Sequence, residues 1–138
     1  MMPGRRGAIA LAIAALSVSV GCSPSQGDSP TPSGAVVVTF EVNEGEQFRV
    51  LLVDPADRDA AARLLDGVEG PDIPNGRIVR ETGVNEGWSW SLDPMDFEFA
   101  DVTTEVCDGN PSDVESGALT SDRYCPWSAR VIEIEPAP

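Results

Sequence analysis

The side chains able to do chemistry in this sequence fall into three groups: Cys22, Cys107 and Cys125; 23 carboxylates; and Trp88, Trp90 and Trp127. The 9 basic residues are all Arg, and His is absent. Without imidazole there is no Ser-His-Asp or Cys-His nucleophile and no His-ligated metal. Without Lys there is no phosphate-cradling lysine and no Schiff base. A formal charge of -14 also argues against a nucleic-acid partner, because no basic stripe exists to lie on phosphates.

The acids are densest at Asp93, Asp96, Glu98, Asp101, Glu105, Asp108, Asp113 and Glu115. Calcium takes six to eight oxygens, often from Asp and backbone carbonyls in Gly-containing loops. Cys107-Asp108-Gly109-Asn110-Pro111-Ser112-Asp113 offers oxygen donors and a turn, so Asp108 and Asp113 are the calcium candidates. The donor spacing is not that of an EF-hand, and both acids equally suit turn and helix-capping roles around Pro111. A glycosidase would need two carboxylates about 5–9 Å apart across a cleft. A chain this acidic supplies such pairs by chance, so no enzyme is expected and no catalytic residue is assigned.

Trp88 and Trp90 alternate with Ser89 and Ser91. Exposed in a row with Trp127, the indoles would form a platform for carbohydrate or peptide. In-phase alternation on a strand more often means core packing, the favoured reading for Trp88 and Trp90, with Trp127 packed on a nearby disulfide.

What positions these groups begins with a leader. Arg5 and Arg6 precede an apolar stretch, Ala8 to Val20, too short for a stable span but suited to a signal peptide over residues 1–21. Val18-Ser19-Val20-Gly21-Cys22 resembles the lipobox of bacterial lipoproteins, with Ser19 where Leu is commonest. That resemblance implies a diacylglycerol on Cys22 and anchoring to the outer face of a bacterial membrane, with two or more acyl chains holding firmly where one does not. Cleavage would leave 7 Arg against 23 acids, a balance of -16. Such a surface repels anionic head groups and favours cations or basic partners.

Residues 22–34 read as the lipidated Cys and a linker, with ten Ser, Pro, Thr or Gly in the twelve residues after Cys22. Its reach is at most about 40 Å. Residues 35–138 form one domain. Val36, Val38, Phe40 and Val42, the turn Asn43-Glu44-Gly45, and Phe48, Val50 and Leu52 predict a β-hairpin. A helix follows from Pro55, with Asp54 as N-cap, Gly67 as terminator and an apolar face of Ala61, Leu64, Leu65 and Val68. After a Pro-rich loop over 71–76, strands are predicted at 77–80, 88–92, 96–100, 102–107 and 129–134, with a single helical turn within 111–118. The fold class is α+β: a mostly antiparallel sheet with one covering α-helix. In an oxidising exported compartment, Cys107 and Cys125 are expected to form its one disulfide.

Phe48-x-Val50-x-Leu52-x-Asp54-Pro55, Gly76-x-Ile78-Val79, Asn85-x-x-Trp88-Ser89-Trp90-x-Leu92-Asp93-Pro94, Glu105-Val106-Cys107-Asp108 and Cys125-Pro126-Trp127-Ser128 occur in this order. Together, over about residues 36–134, they resemble a family of small secreted bacterial domains labelled calmodulin-binding protein, after a larger eukaryotic homologue carrying the domain near its N-terminus. The resemblance implies a secreted domain and no established activity. Relatives often have His before the Gly76 turn and between Trp90 and Leu92. Here those places hold Ile73 or Pro74, and Ser91, so no imidazole role carries over. Nor is the helix from Pro55 a basic calmodulin target, since Arg58 and Arg63 face Asp57, Asp59 and Asp66.

The expected function is a membrane-tethered, non-catalytic binding module whose ligand is an envelope polymer, a basic protein or calcium. The alternatives are a structural envelope accessory without a discrete ligand, or a carboxylate-dependent hydrolase.

Overall fold

The structure is a computed structural model that describes Gly21, residues 33–43 and residues 45–138. The leader, the expected lipid site at Cys22 and residues 23–32 of the linker lie outside the described residues.

Among the described residues, two three-stranded antiparallel sheets and two α-helices make the fold, so the expectation of a single sheet with one covering helix is too simple. The first sheet has the order β2-β1-β6, from β1 (Val36–Val42), β2 (Glu46–Leu52) and β6 (Arg130–Pro136). The second has the order β4-β3-β5, from β3 (Ile73–Val79), β4 (Ser91–Ala100) and β5 (Arg123–Tyr124). The hairpin turns where expected: Val42 pairs with Glu46, the Gly45 N–H bonds to the Val42 carbonyl, and Asn43 takes φ 49°. Asn tolerates that left-handed conformation better than most residues.

The core lies between the sheets. Phe40, Val42, Phe48, Val50 and Leu52 are each at most 1% exposed, as their alternation required. Phe48 is its hub, stacked on Phe40 at 5.1 Å and edge-on to Tyr124 at 5.2 Å, with Trp90 at 6.0 Å. On the other face of β1, the Arg49–Glu135 ion pair at 2.6 Å spans from β2 to β6, and Val37 and Thr39 beneath this diagonal are buried.

Helix α1 (Pro55–Leu65) forms from local signals. Asp54 Oδ1 accepts the Ala56 N–H at 2.7 Å, and Gly67 at φ 79° ends the helix. Bonds from Gly67 N–H to the Leu64 carbonyl and from Val68 N–H to the Arg63 carbonyl complete a Schellman motif. Its expected apolar face is only partly used: Ala61 is buried, but Leu65 and Val68 are 44% and 50% exposed. The helix stops at Leu65, so these two residues sit at and beyond its end rather than over the core. The single turn expected near Pro111 is a six-residue helix, α2 (Pro111–Ser116), packed against β2.

Three further expectations fail. The loop expected over 71–76 is already strand from Ile73, where β3 begins. Residues 88–92 and 96–100 do not form separate strands, since β4 runs unbroken through Pro94. The segment 102–107 is no strand; it holds one 3-10 turn, Glu105–Cys107, and leaves Val102 and Val106 84% and 69% exposed. It has no partner strand because Cys107 is drawn instead to the chain at Cys125, whose N–H bonds to the Cys107 carbonyl at 2.7 Å.

Candidate functional site

The side chains singled out by type do not gather at one place. Trp90 is fully buried, and Trp88 is half-buried with its indole N–H donated to the Gln47 carbonyl at 2.9 Å. Neither can serve an exposed platform; both pack on the core, the favoured reading of their alternation. Trp127 alone remains, 45% exposed.

Trp127 lies two residues after Cys125 of the Cys107–Cys125 disulfide, which joins two otherwise irregular segments with a Cα–Cα distance of 5.1 Å. Its indole N–H donates to Thr103 Oγ1 at 2.6 Å and its backbone N–H to Asp108 Oδ1 at 2.9 Å. The indole is thereby fixed to the 103–108 segment from both ends.

Asp108 and Asp113 do meet: both line a surface hollow of about 330 Å³, with Val106, Ala118, Leu119 and Thr120. Each already has a structural duty. Asp108 holds Trp127, and Asp113 Oδ2 accepts the Asn110 N–H at 2.8 Å ahead of α2. Among the described residues no group of three or more acidic, Cys or His side chains gathers around an ion position. A calcium bound here would draw on two carboxylates and on backbone or water oxygens.

Tyr124 and Asn85 were not singled out by sequence, though both position this region. Tyr124 is buried in the aromatic core, and its hydroxyl donates to the Gly109 carbonyl at 3.0 Å, tying the core to the Asp108 loop. Burial, followed by the charges of Glu46, Asp108 and Asp113, pushes its phenol pKa well up, so it stays a proton donor. Asn85 lay within the quoted motif without a role. It is fully buried, accepting the Arg49 N–H and donating to the Trp90 carbonyl, both at 2.8 Å.

One carboxyl, Asp57 in the first turn of α1, has a raised pKa. Burial is the largest cause, followed by the charges of Asp54 and Glu98. Asp54 is occupied as the N-cap of α1.

The model of a family described as the BP-74 N-terminal domain matches residues 34–138, more than half of the chain. The chain belongs to the BP-74 N-terminal domain family. No curated protein and no solved structure matches it. Within this BP-74 N-terminal domain, the match begins at Gly34, where the chain is held by Arg58 of α1, whose guanidinium donates to the Gly34 carbonyl. Ala35 is buried next to it, and its carbonyl accepts the Ala137 N–H at 3.0 Å. The opposite end of β1 meets the Trp127 region: Asn43 bonds to Ser128 Oγ through its N–H at 3.2 Å and to Asn110 Oδ1 through its side chain at 2.7 Å.

Proposed function

We propose that this protein is an extracytoplasmic lipoprotein, anchored through Cys22, whose domain is a non-catalytic binding module presented away from the membrane. One relationship carries the reading. The chain enters the domain at Gly34, beside the start of β1, and the surface around Trp127 and Asp108 packs on the far end of the same strand. Seven extended residues separate the two by roughly 23 Å. A linker leading to Gly34 would direct that surface outward.

The absence of His and Lys from the sequence supports binding rather than catalysis, since a Ser or Cys nucleophile would lack its usual base. The ligand classes in view are an envelope polymer, a basic protein and calcium; nucleic acid is not among them. The second reading is a structural envelope accessory with no ligand, which the small size of the hollow favours.

Thermal unfolding of the detergent-solubilised intact protein separates the two. A ligand that binds the native state raises the melting temperature. Calcium chloride, cell-wall oligosaccharides and cationic peptides are the probes. A rise with one class supports the module, and no rise with any of them favours the accessory.

A further inference from the structure

We infer that the Val102–Val106–Trp127 surface is a docking site for a cationic peptide segment that carries apolar side chains among its Arg or Lys residues. The inference rests on the binding-module reading and names the partner chemistry of that surface.

The first observation is the cost of holding these side chains in water. Val102 is 84% exposed, Val106 69% and Trp127 45%, on segments that form no strand and only two short turns. Large apolar side chains left this exposed on two segments that are bonded to each other make an interaction surface the natural reading. They are not loose ends, because the disulfide, the Trp127–Thr103 bond and the Trp127–Asp108 bond fix the two segments to each other. A preorganised apolar surface loses little entropy when a partner covers it. Trp is also the residue type most often found to dominate such contacts.

The second observation is charge. From Asp101 to Asp122 the chain carries Asp101, Glu105, Asp108, Asp113, Glu115 and Asp122 and no basic residue at all. Asp101, Glu105 and Asp108 are exposed in the same segment as the two valines. Among the described residues, no ion pair neutralises these three. Exposed acids interleaved with exposed apolar side chains along one segment select a cationic amphipathic partner and disfavour anionic lipid or nucleic acid. A guanidinium or ammonium can also lie over the exposed indole face. Sugar recognition would use the indole but gains little from two exposed valines.

Titration calorimetry on the detergent-solubilised intact protein tests the inference, with empty micelles as the blank. The probe is a short synthetic peptide of Leu and Lys. Controls replace every Lys by Gln, or every Leu by Gly. The expected result is binding of the Leu/Lys peptide that weakens with added salt and a large loss with either control. Trp127→Ala should weaken binding about tenfold or more. Val106→Ser, at a site too exposed to matter for folding, should weaken it in the same direction.

Full-strength binding by both variants would overturn the assignment of this surface while leaving the module reading intact. Equal binding of the Gln peptide would overturn the cationic partner. No peptide binding, with a melting-temperature rise caused by an oligosaccharide, would also overturn the docking inference and leave the module standing. No response to any probe would remove both.

Discussion

Asn85 Oδ1 accepts the backbone N–H of Arg49 at 2.8 Å, on the edge of β2 that faces away from β1. The same side chain donates to the Trp90 carbonyl, and Trp88 donates to the Gln47 carbonyl two residues along β2. The 85–90 segment thus covers an edge strand that would otherwise offer unpaired groups to another chain. Asn85→Ala leaves a buried donor and a buried acceptor unsatisfied. The expected loss is about 3 kcal/mol, read as a lower midpoint in urea unfolding.

The Cys107–Cys125 disulfide closes a loop with a sequence separation of 18. In the chain-entropy model, a loop of this size contributes about 3 kcal/mol. Replacing both cysteines by Ala should lower stability by that order and free Trp127 from the 103–108 segment. Unfolding curves measure the first effect, and a red shift of Trp emission on reduction measures the second.

Gly76 is needed for space. A Cβ there would lie 3.0 Å from Leu92 Cδ1, 3.1 Å from Leu92 Cβ and 3.3 Å from Phe97, where the β3–β4 register shifts. Gly76→Ala makes the packed Leu92 and Phe97 side chains give way by a few tenths of an ångström and should cost about 1–3 kcal/mol. A midpoint equal to wild type in chemical unfolding would contradict this packing.

Two carboxyls should respond to pH with opposite signs. Asp96 has its pKa lowered, first by the hydrogen bond from Arg123 Nη1 at 2.8 Å and then, against an opposing burial effect, by the charges of Arg123 and Arg77. Its contribution to stability is present above the ordinary Asp pKa of about 3.9 and is lost as pH falls through the lower folded-state value. Asp96→Asn should therefore destabilise at neutral pH and converge on wild type in strong acid. Asp57 has its pKa raised by burial and by Asp54 and Glu98, so its ionisation opposes folding at neutral pH. Asp57→Asn should raise the melting temperature there, and the gain should vanish in acid, where both side chains are uncharged. Melting curves across pH check both.

The elements legible in the sequence are those specified locally. Alternation from Val36 to Leu52 gives the hairpin, and Asp54, Pro55 and Gly67 mark the limits of α1. Cys107 and Cys125 are bonded, as expected for the two cysteines of the domain. What sequence reading missed is set by neighbours. Pro94 reads as a strand end, yet β4 is an edge strand and tolerates the missing N–H. Pro74 lies within β3 because β5 reaches only Gly76 and Arg77, leaving that side of Pro74 unpaired. β5 is two residues long and has no periodicity of its own; Arg123 is held there by Asp96 and Asn75.

The candidate site was legible in its residue types and not in its grouping. Asp108 and Asp113, the candidate oxygen donors, do share one hollow; Asp113 also acts as the capping residue that its neighbours suggest, while Asp108 instead holds the Trp127 N–H. Alternation made Trp88 and Trp90 ambiguous, and burial resolves them as packing residues. The exposure of Val102 and Val106 follows from the pull of Cys107 toward Cys125, a tertiary event that no pattern within residues 102–106 records.

The function proposed for the distal surface depends on the domain standing outside the membrane on an acylated Cys22. Metabolic labelling of living cells with a radioactive fatty acid tests this most directly, comparing the wild type with Cys22→Ser. The expected result is label on the wild type, none on the variant, and degradation of the anchored domain by protease once its outward-facing membrane surface is exposed. An unlabelled wild type, or equal label on Cys22→Ser, would contradict it.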